Sequence, residues 1–204
     1  MSMLARALMF AGMALSLSIP AASAEEIDFS YCAVCHGANG NGNPAIRAPK
    51  IAGMEAWYLK RQLQSFRAGL RGAHPDDAAG GEMRPMAVHL RDDAAIDQAV
   101  AHVASFVPKT PPATISGDTA RGKQIYETCA SCHGSRAEGN AELNAPALAG
   151  RTDWYLVTQL KNYMTGLRGA QARDIYGAQM RAVAAALPDD QAANDVVAYI
   201  NTLR

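Results

Sequence analysis

Two short segments repeat one arrangement of sulfur and imidazole: Cys32-Ala-Val-Cys35-His36 and Cys129-Ala-Ser-Cys132-His133. C-x-x-C-H is the attachment sequence of c-type haem, in which both thiols become thioethers to the porphyrin edge and the adjacent histidine is brought up to the iron. A chain carrying it must fold around a large, flat, mostly apolar group. The competing readings are a redox C-x-x-C pair and a zinc site. A zinc site shared by four cysteines spaces its two pairs by about 15–20 residues, and the gap from Cys35 to Cys129 is several times longer. Two copies, each with histidine directly after the second cysteine, favour one covalent haem c at each motif.

Residues 1–24 read as a segment outside the fold. Arg6 precedes an apolar run of 13 residues, Ala7 to Ile19, and Ala22-Ser23-Ala24 follows as a small-residue cleavage site; this is the layout of a secretory signal peptide. The run falls short of the roughly 18 apolar residues that span a bilayer, and no later stretch is apolar enough to do so. The mature chain is therefore expected to be exported and soluble. In an oxidising compartment four cysteines would ordinarily form two disulfides, but their placement in the two motifs argues for thioethers instead. The balance of 19 Lys+Arg against 19 Asp+Glu argues against a nucleic-acid binder. A hydrophobic fraction of 49% excludes wholesale disorder.

The two histidines stand 97 residues apart, and that single offset aligns the two halves without a gap. Pro49 falls on Pro146, Gly53 on Gly150, Trp57-Tyr58-Leu59 on Trp154-Tyr155-Leu156, and Gln62-Leu63 on Gln159-Leu160. Gly69-Leu70-Arg71-Gly72-Ala73 falls on Gly166-Leu167-Arg168-Gly169-Ala170, Met83-Arg84 on Met180-Arg181, and Asp92-Asp93 on Asp189-Asp190. A repeat of this length is a tandem of two like domains. Pro108-Lys109-Thr110-Pro111-Pro112 cannot continue a helix and makes a stiff linker. The expected division is a signal peptide over 1–24, a first domain over 25–107, a linker over 108–116 and a second domain over 117–204. Each half is near the lower size limit for a side-chain core alone, and a buried porphyrin would supply the missing apolar area.

The chain is expected to be all-α. Ile96, Val100, Val103 and Val107 recur at helical spacing, as do Ala193, Val196, Val197, Ile200 and Leu203. The paired aspartates before these runs suit helix N-termini. Trp57–Ala68 and Trp154–Thr165 read as middle helices closed by Gly69 and Gly166. Asp118–Thr128 reads as a helix leading into the second haem motif, and the glycine-rich segments after each histidine as loops.

An iron held by one histidine needs a second axial ligand or stays open to chemistry. Five methionines follow residue 24: Met54, Met83, Met86, Met164 and Met180. Only Met83 and Met180 coincide under the offset, and both are expected in a loop beyond the middle helix. Met54 and Met164 read as core filler. Met86 is the rival to Met83, since Met83-Arg84-Pro85-Met86 brings two thioethers near one site. His74, His89 and His102 have no counterpart in the second half and read as surface or partly packed side chains. Pro49 and Pro146, each 13 residues after its histidine, are placed to offer a carbonyl to the second ring nitrogen. Trp57/Trp154 and Tyr58/Tyr155 carry donors for haem propionates or pack as ordinary helix residues. Arg71 and Arg168 also carry donors for haem propionates, but solvated positions are expected for them.

With these residues in hand, the chain beyond the leader resembles the dihaem cytochrome c4 group, built from two class I cytochrome c domains. The features that carry the resemblance are tandem C-x-x-C-H-G (Cys32–Gly37, Cys129–Gly134), Pro-x-Ile/Leu-Ala-Gly (Pro49–Gly53, Pro146–Gly150), the helix segment Tyr58–Leu63, and Met83-x-Pro-Met86 with its downstream leucine. The resemblance implies His36/Met83 and His133/Met180 ligation, haems near the domain interface with facing propionates, and electron transfer in the periplasm. Members usually have a full helix before the first haem, whereas here only Glu25–Tyr31 precede Cys32; Phe29 still matches Tyr126 as an aromatic able to pack on the last helix of its domain.

Three functions compete. The first is a dihaem carrier, not an enzyme, moving single electrons from a quinol-oxidising complex or dehydrogenase to a terminal oxidase or reductase. The second is the cytochrome subunit of a dehydrogenase complex. The third, an enzyme acting at haem, needs an iron able to open, which methionines matched in both halves disfavour. Residues 25–109 carry nine basic and ten acidic side chains and residues 110–204 nine and nine, so no bipolar charge orients docking by long-range steering.

Overall fold

The computed structural model describes residues 27–204. The expected signal peptide, residues 1–24, lies outside the described residues. The described chain contains α1 (Ser30–His36), α2 (Ala56–Arg67), α3 (Ala78–His89), α4 (Asp93–Ala104), α5 (Thr119–His133), α6 (Asp153–Met164), α7 (Ile175–Ala184) and α8 (Asp190–Ile200). Among the described residues there is no strand. Each half instead has one isolated bridge in its glycine-rich loop, Asn43 with Ala48 and Asn140 with Ala145, 97 residues apart.

Local chemistry accounts for the helix ends. Asp92 and Asp189 are N-caps, accepting from Ala95 N at 2.8 Å and Ala192 N at 2.7 Å; such a cap stabilises a helix by about 1 kcal/mol. Asp118 caps α5, accepting from Ala120 and Arg121. The helix it opens runs through the whole Cys129–His133 motif, further than the periodicity alone marks. Helices α2 and α6 stop just before Gly69 (φ 68°) and Gly166 (φ 78°), where a residue with a Cβ would be strained.

The two domains have separate cores. In the first, Leu59, Leu63 and Phe66 of α2 meet Ala87 of α3, Leu90, and Ile96, Ala99 and Val103 of α4. In the second, Tyr126 of α5 and Val157 of α6 close on Val196, Val197 and Ile200 of α8. Helix α5 crosses α8 so tightly that a Cβ on Gly122 would meet Asp195 O at 2.0 Å. The first domain opens with a helix of 7 residues against 15 in the second, as the short leader into Cys32 implies. Phe29 and Tyr126 both pack as expected: Phe29 stacks on His102 of α4 at 5.0 Å, and Tyr126 meets Tyr199 of α8 at 5.5 Å.

Met83 and Met180 do not lie in the expected loops but on helices α3 and α7. Gly80-Gly81 and Pro85 weaken helix propensity in α3, by about 1 kcal/mol per glycine and about 3 for proline, and so hide the helix from a periodicity reading. Tertiary contact and capping override them. Asp77 and Asp174 accept from Gly80 N at 3.0 Å and Gly177 N at 2.9 Å. The preceding turn presses on each helix, so that a Cβ on Gly72 or Gly169 would meet Gly80 O or Gly177 O at 2.2 Å.

The segment between the domains has no regular secondary structure and is tied at both ends. Lys109 N donates to Asn41 Oδ1 at 2.8 Å. Thr114 N and Ile115 N donate to Asp153 Oδ2 at 2.5 and 2.9 Å, and Thr114 Oγ1 to Asp153 Oδ1 at 2.8 Å. Burial alone would raise the Asp153 carboxyl, but these donors and Asn201 outweigh it and bring it down to about 2.

Candidate functional site

Each domain holds a cavity beside its Cys-x-x-Cys-His segment, of about 190 Å³ in the first and 250 Å³ in the second. The segment is helical in both, so cysteines three apart share one helix face and are aligned toward one edge of one group. All four thiols are free. Cys32 and Cys129 are half-buried, and burial is the main cause that pushes both thiols up.

His36 and His133 close their helices and are buried at 9% and 5% exposure. His36 Nδ1 lies 2.7 Å from Pro49 O, and His133 Nδ1 lies 2.7 Å from Pro146 O. A carbonyl can only accept, so Nδ1 carries the proton and Nε2 keeps its lone pair. Burial lowers both imidazoles from the usual histidine range, more than the proline carbonyls raise them. The neutral, Nε2-basic form is the one that binds a metal.

The first cavity is lined by Cys32, Cys35, His36, Met83 and Met86, with Leu59, Leu63, Phe66 and Val103 of the core. The second is lined by Cys129, Cys132, His133 and Met180, with Val183 at the position of Met86. Met83 is half-buried and packs on the first core, whereas Met86 is 39% exposed. Met54 is core filler, as expected, though it also lines the first cavity. His74 and His89 are exposed, and His102 is partly packed between Phe29 and Phe106.

The arginines depart from expectation. Arg71 and Arg168 are not solvated but buried, at 7% and 5% exposure. Arg71 donates to Gln62 Oε1 at 2.9 Å, Gln159 Oε1 at 2.9 Å and Tyr155 Oη at 2.5 Å. Arg168 donates to Gln159 Oε1 at 2.8 Å, Gln62 Oε1 at 2.7 Å and Tyr58 Oη at 3.3 Å. Each set crosses the domain boundary. Among the described residues neither guanidinium has a carboxylate at ion-pair distance, so two positive charges are desolvated together against neutral acceptors. Arg71 lines both cavities and Arg168 the second.

The residues fit a haem in each half. Two thiols on one helix face, an Nε2-basic imidazole, an apolar wall and a cationic cluster match the vinyl edge, the iron, the ring faces and the carboxylates of that group. Tyr31 Oη, a buried hydroxyl beside Cys32 at the first cavity, is a further donor for it.

A tandem of two helical domains, each with a Cys-x-x-Cys-His helix against its own cavity, defines a protein that carries two covalent haem c groups, at Cys32/Cys35 and Cys129/Cys132. The chain belongs to the cytochrome c family, whose model matches residues 24–109 and again 119–204, and within it to the dihaem cytochromes c4. It is 32% identical to cytochrome c4 of Pseudomonas aeruginosa over 155 residues, 72% of this chain and 73% of that one. It is 29% identical to cytochrome c4 of Azotobacter vinelandii, over 85% of each chain. It is 31% identical to the thiosulfate dehydrogenase electron acceptor of Stutzerimonas stutzeri, over 78% of this chain and 73% of that one. The solved structure of reduced cytochrome c4 from Pseudomonas stutzeri superposes with a TM-score of 0.64 at 27% identity, covering 86% of this chain and 94% of that one. A thiosulfate dehydrogenase structure from Marichromatium purpuratum gives 0.67 at 33% identity, covering 84% of this chain but only 36% of that longer one. The protein is a dihaem electron-transfer cytochrome. Among the described residues no helix is long and apolar enough to cross a membrane.

Proposed function

We propose that His36 and Met83 are the axial ligands in the first domain and His133 and Met180 in the second, and that the protein is a periplasmic one-electron carrier with no reaction of its own. One observation carries this reading. In each half an imidazole fixed through Nδ1 by a proline carbonyl lines the same cavity as a methionine at the matched repeat position. His/Met coordination makes a six-coordinate, raised-potential electron carrier; when bound, the haem iron supplies the one-electron couple. The chain does the rest. The cysteines anchor the group, Pro49 and Pro146 orient the histidines, the apolar cores exclude water, and Arg71 and Arg168 are placed to receive negative charge. The signal-peptide layout of residues 1–24 supports export to the periplasm.

The redox partners proposed are a quinol-oxidising complex or dehydrogenase as donor and a terminal oxidase or reductase as acceptor. Likeness to a thiosulfate dehydrogenase electron acceptor and to part of a thiosulfate dehydrogenase supports a periplasmic dehydrogenase as donor, whether this chain meets it transiently or as a bound subunit. Carbon monoxide binding to the reduced protein tests the carrier reading. Neither haem should take up the gas readily, because a thioether occupies each site. Stoichiometric uptake at one haem per chain would replace the carrier with an enzyme.

A further inference from the structure

The repeat sets Glu55 opposite Thr152, and each reaches into the other domain to the peptide that holds the other domain's histidine. Glu55 Oε1 accepts from Ala147 N at 2.6 Å. That N–H belongs to the Pro146–Ala147 peptide, whose carbonyl oxygen takes the His133 Nδ1 proton at 2.7 Å. In the mirror position Thr152 Oγ1 accepts from Lys50 N at 3.1 Å, and the Pro49–Lys50 peptide takes the His36 proton, also at 2.7 Å. The first links are equal. The second links are not, because one ends on a carboxylate and the other on a neutral hydroxyl.

We infer that Glu55 of the first domain is a positioning residue for electron transfer at the second, lowering the reduction potential of the haem held by His133 through the Pro146–Ala147 peptide. The inference rests on the proposal that His133 is an axial ligand. Hydrogen bonds in series polarise one another. An anion on the N–H makes the Pro146 carbonyl a stronger acceptor, which draws the Nδ1 proton and leaves more electron density on the ring. Outer-shell partners raise ligand basicity in this way, and a more basic ligand favours ferric iron. The surrounding charges do not undo the chain of bonds. Arg151 Nη2 pairs with the other oxygen, Oε2, at 2.6 Å, and its Nε donates to Ala147 O at 3.2 Å, so it offsets the field of Glu55 through space while leaving the Ala147 bond intact. On the first domain's side Lys50 itself carries a cation, its Nζ donating to Gly150 O at 3.1 Å, which favours the opposite, ferrous state of that haem.

The test is a redox titration of the dihaem protein followed by NMR at each haem, with Glu55→Gln and Arg151→Met. Glu55→Gln should shift the second haem's equilibrium about tenfold toward the reduced state, or about 59 mV for one electron, and the first haem by less than twofold. Arg151→Met should move the second haem the other way. Loosening of the interface alone would move both variants alike, since both break the same ion pair, and that result overturns the inference. So does an unchanged second potential in Glu55→Gln, or an equal shift at both haems. In the reduced protein the His133 Nδ1–H resonance should move upfield in Glu55→Gln while that of His36 stays. The carbon-bound ring protons of His133 separate the two readings. If they lack the strong ring-current displacement of a ligand above a porphyrin, the ligand assignment fails and this inference with it. If they show it while Glu55→Gln changes neither potential nor N–H resonance, the relay alone is overturned.

Discussion

Arg71 Nη2 donates to Gln159 Oε1 at 2.9 Å, from the first domain into the second. Arg168 returns the contact to Gln62 Oε1 at 2.7 Å, and each glutamine oxygen also accepts from the arginine of its own domain. The two domains are joined by a buried cationic cluster with the symmetry of the repeat. A desolvated guanidinium is costly unless negative charge meets it, and the carboxylates of a haem are the anions that the two cavities would bring.

Arg71→Leu should therefore lower the potentials of both haems, because Arg71 lines both cavities and loss of a cation favours ferric iron. Arg168→Leu should act chiefly on the second haem, whose cavity alone it lines. Each substitution should also cost on the order of 3 kcal/mol in denaturant unfolding, the scale of buried charged hydrogen bonds. Unchanged potentials in Arg71→Leu would place the cluster outside the electrostatics of the haems.

Asp153 should contribute to the acid dependence of the fold. It is fully buried, and its carboxyl sits at about 2 instead of 3.8. A carboxyl lowered on folding stabilises the folded state above its unfolded value and loses that contribution as pH falls through the folded one. The contribution at neutral pH is about 2 kcal/mol, from about 1.4 kcal/mol per pH unit. Asp153→Asn should thus be less stable than the parent at pH 7, and the gap should narrow steadily between about pH 4 and pH 2. Urea unfolding at a series of pH values measures it, and a gap independent of pH would mean that packing, and not charge, explains the loss.

Much of this was legible in the residues. The haem motifs, the offset of 97, the capping aspartates and the proline acceptors of His36 and His133 all follow from local chemistry or from matching one half to the other. What escaped lies across the domain boundary or against local propensity. The helices bearing Met83 and Met180 were hidden by glycines and a proline that tertiary contact overrides. The burial of Arg71 and Arg168 depends on partners 84 to 110 residues distant, which no spacing encodes. The cross-domain hydrogen bonds of Glu55 and Thr152 are hidden for the opposite reason. A repeat draws attention to identical pairs, and this pair differs. The usable signal was the mismatch, an acid facing a hydroxyl next to the segment that holds each histidine.

Covalent attachment should be separable by domain. Cys129→Ala or Cys132→Ala should weaken attachment at the second site only, because each half has its own cavity and core. Mass spectrometry of the parent should show two haems per chain after denaturation. The single-cysteine variants should keep the spectrum of the first haem, with its potential displaced through the shared arginine cluster. Loss of both haems together would show that the halves do not fold independently.

Burial and the repeat support Met83 over Met86 as the proposed thioether ligand of the first domain. Both thioethers line the first cavity, three residues apart on α3, so both face the same side of the helix. Met83 packs against the core of the first domain, and its counterpart Met180 lines the second cavity. Met86 is 39% exposed, and its counterpart is Val183, which has no sulfur. A ligand must be held in place to resist exchange with water, and a packed side chain has already lost the rotamer freedom that an exposed one would still have to give up. Met83→Ala should therefore remove half of the sulfur-to-iron charge-transfer band of the oxidised protein and open one haem per chain to carbon monoxide when reduced. Met180→Ala should remove the other half, and Met86→Ala should leave the band intact. If Met86→Ala abolishes half the band while Met83→Ala leaves it unchanged, the first domain has departed from the repeat and takes its thioether one turn further along α3.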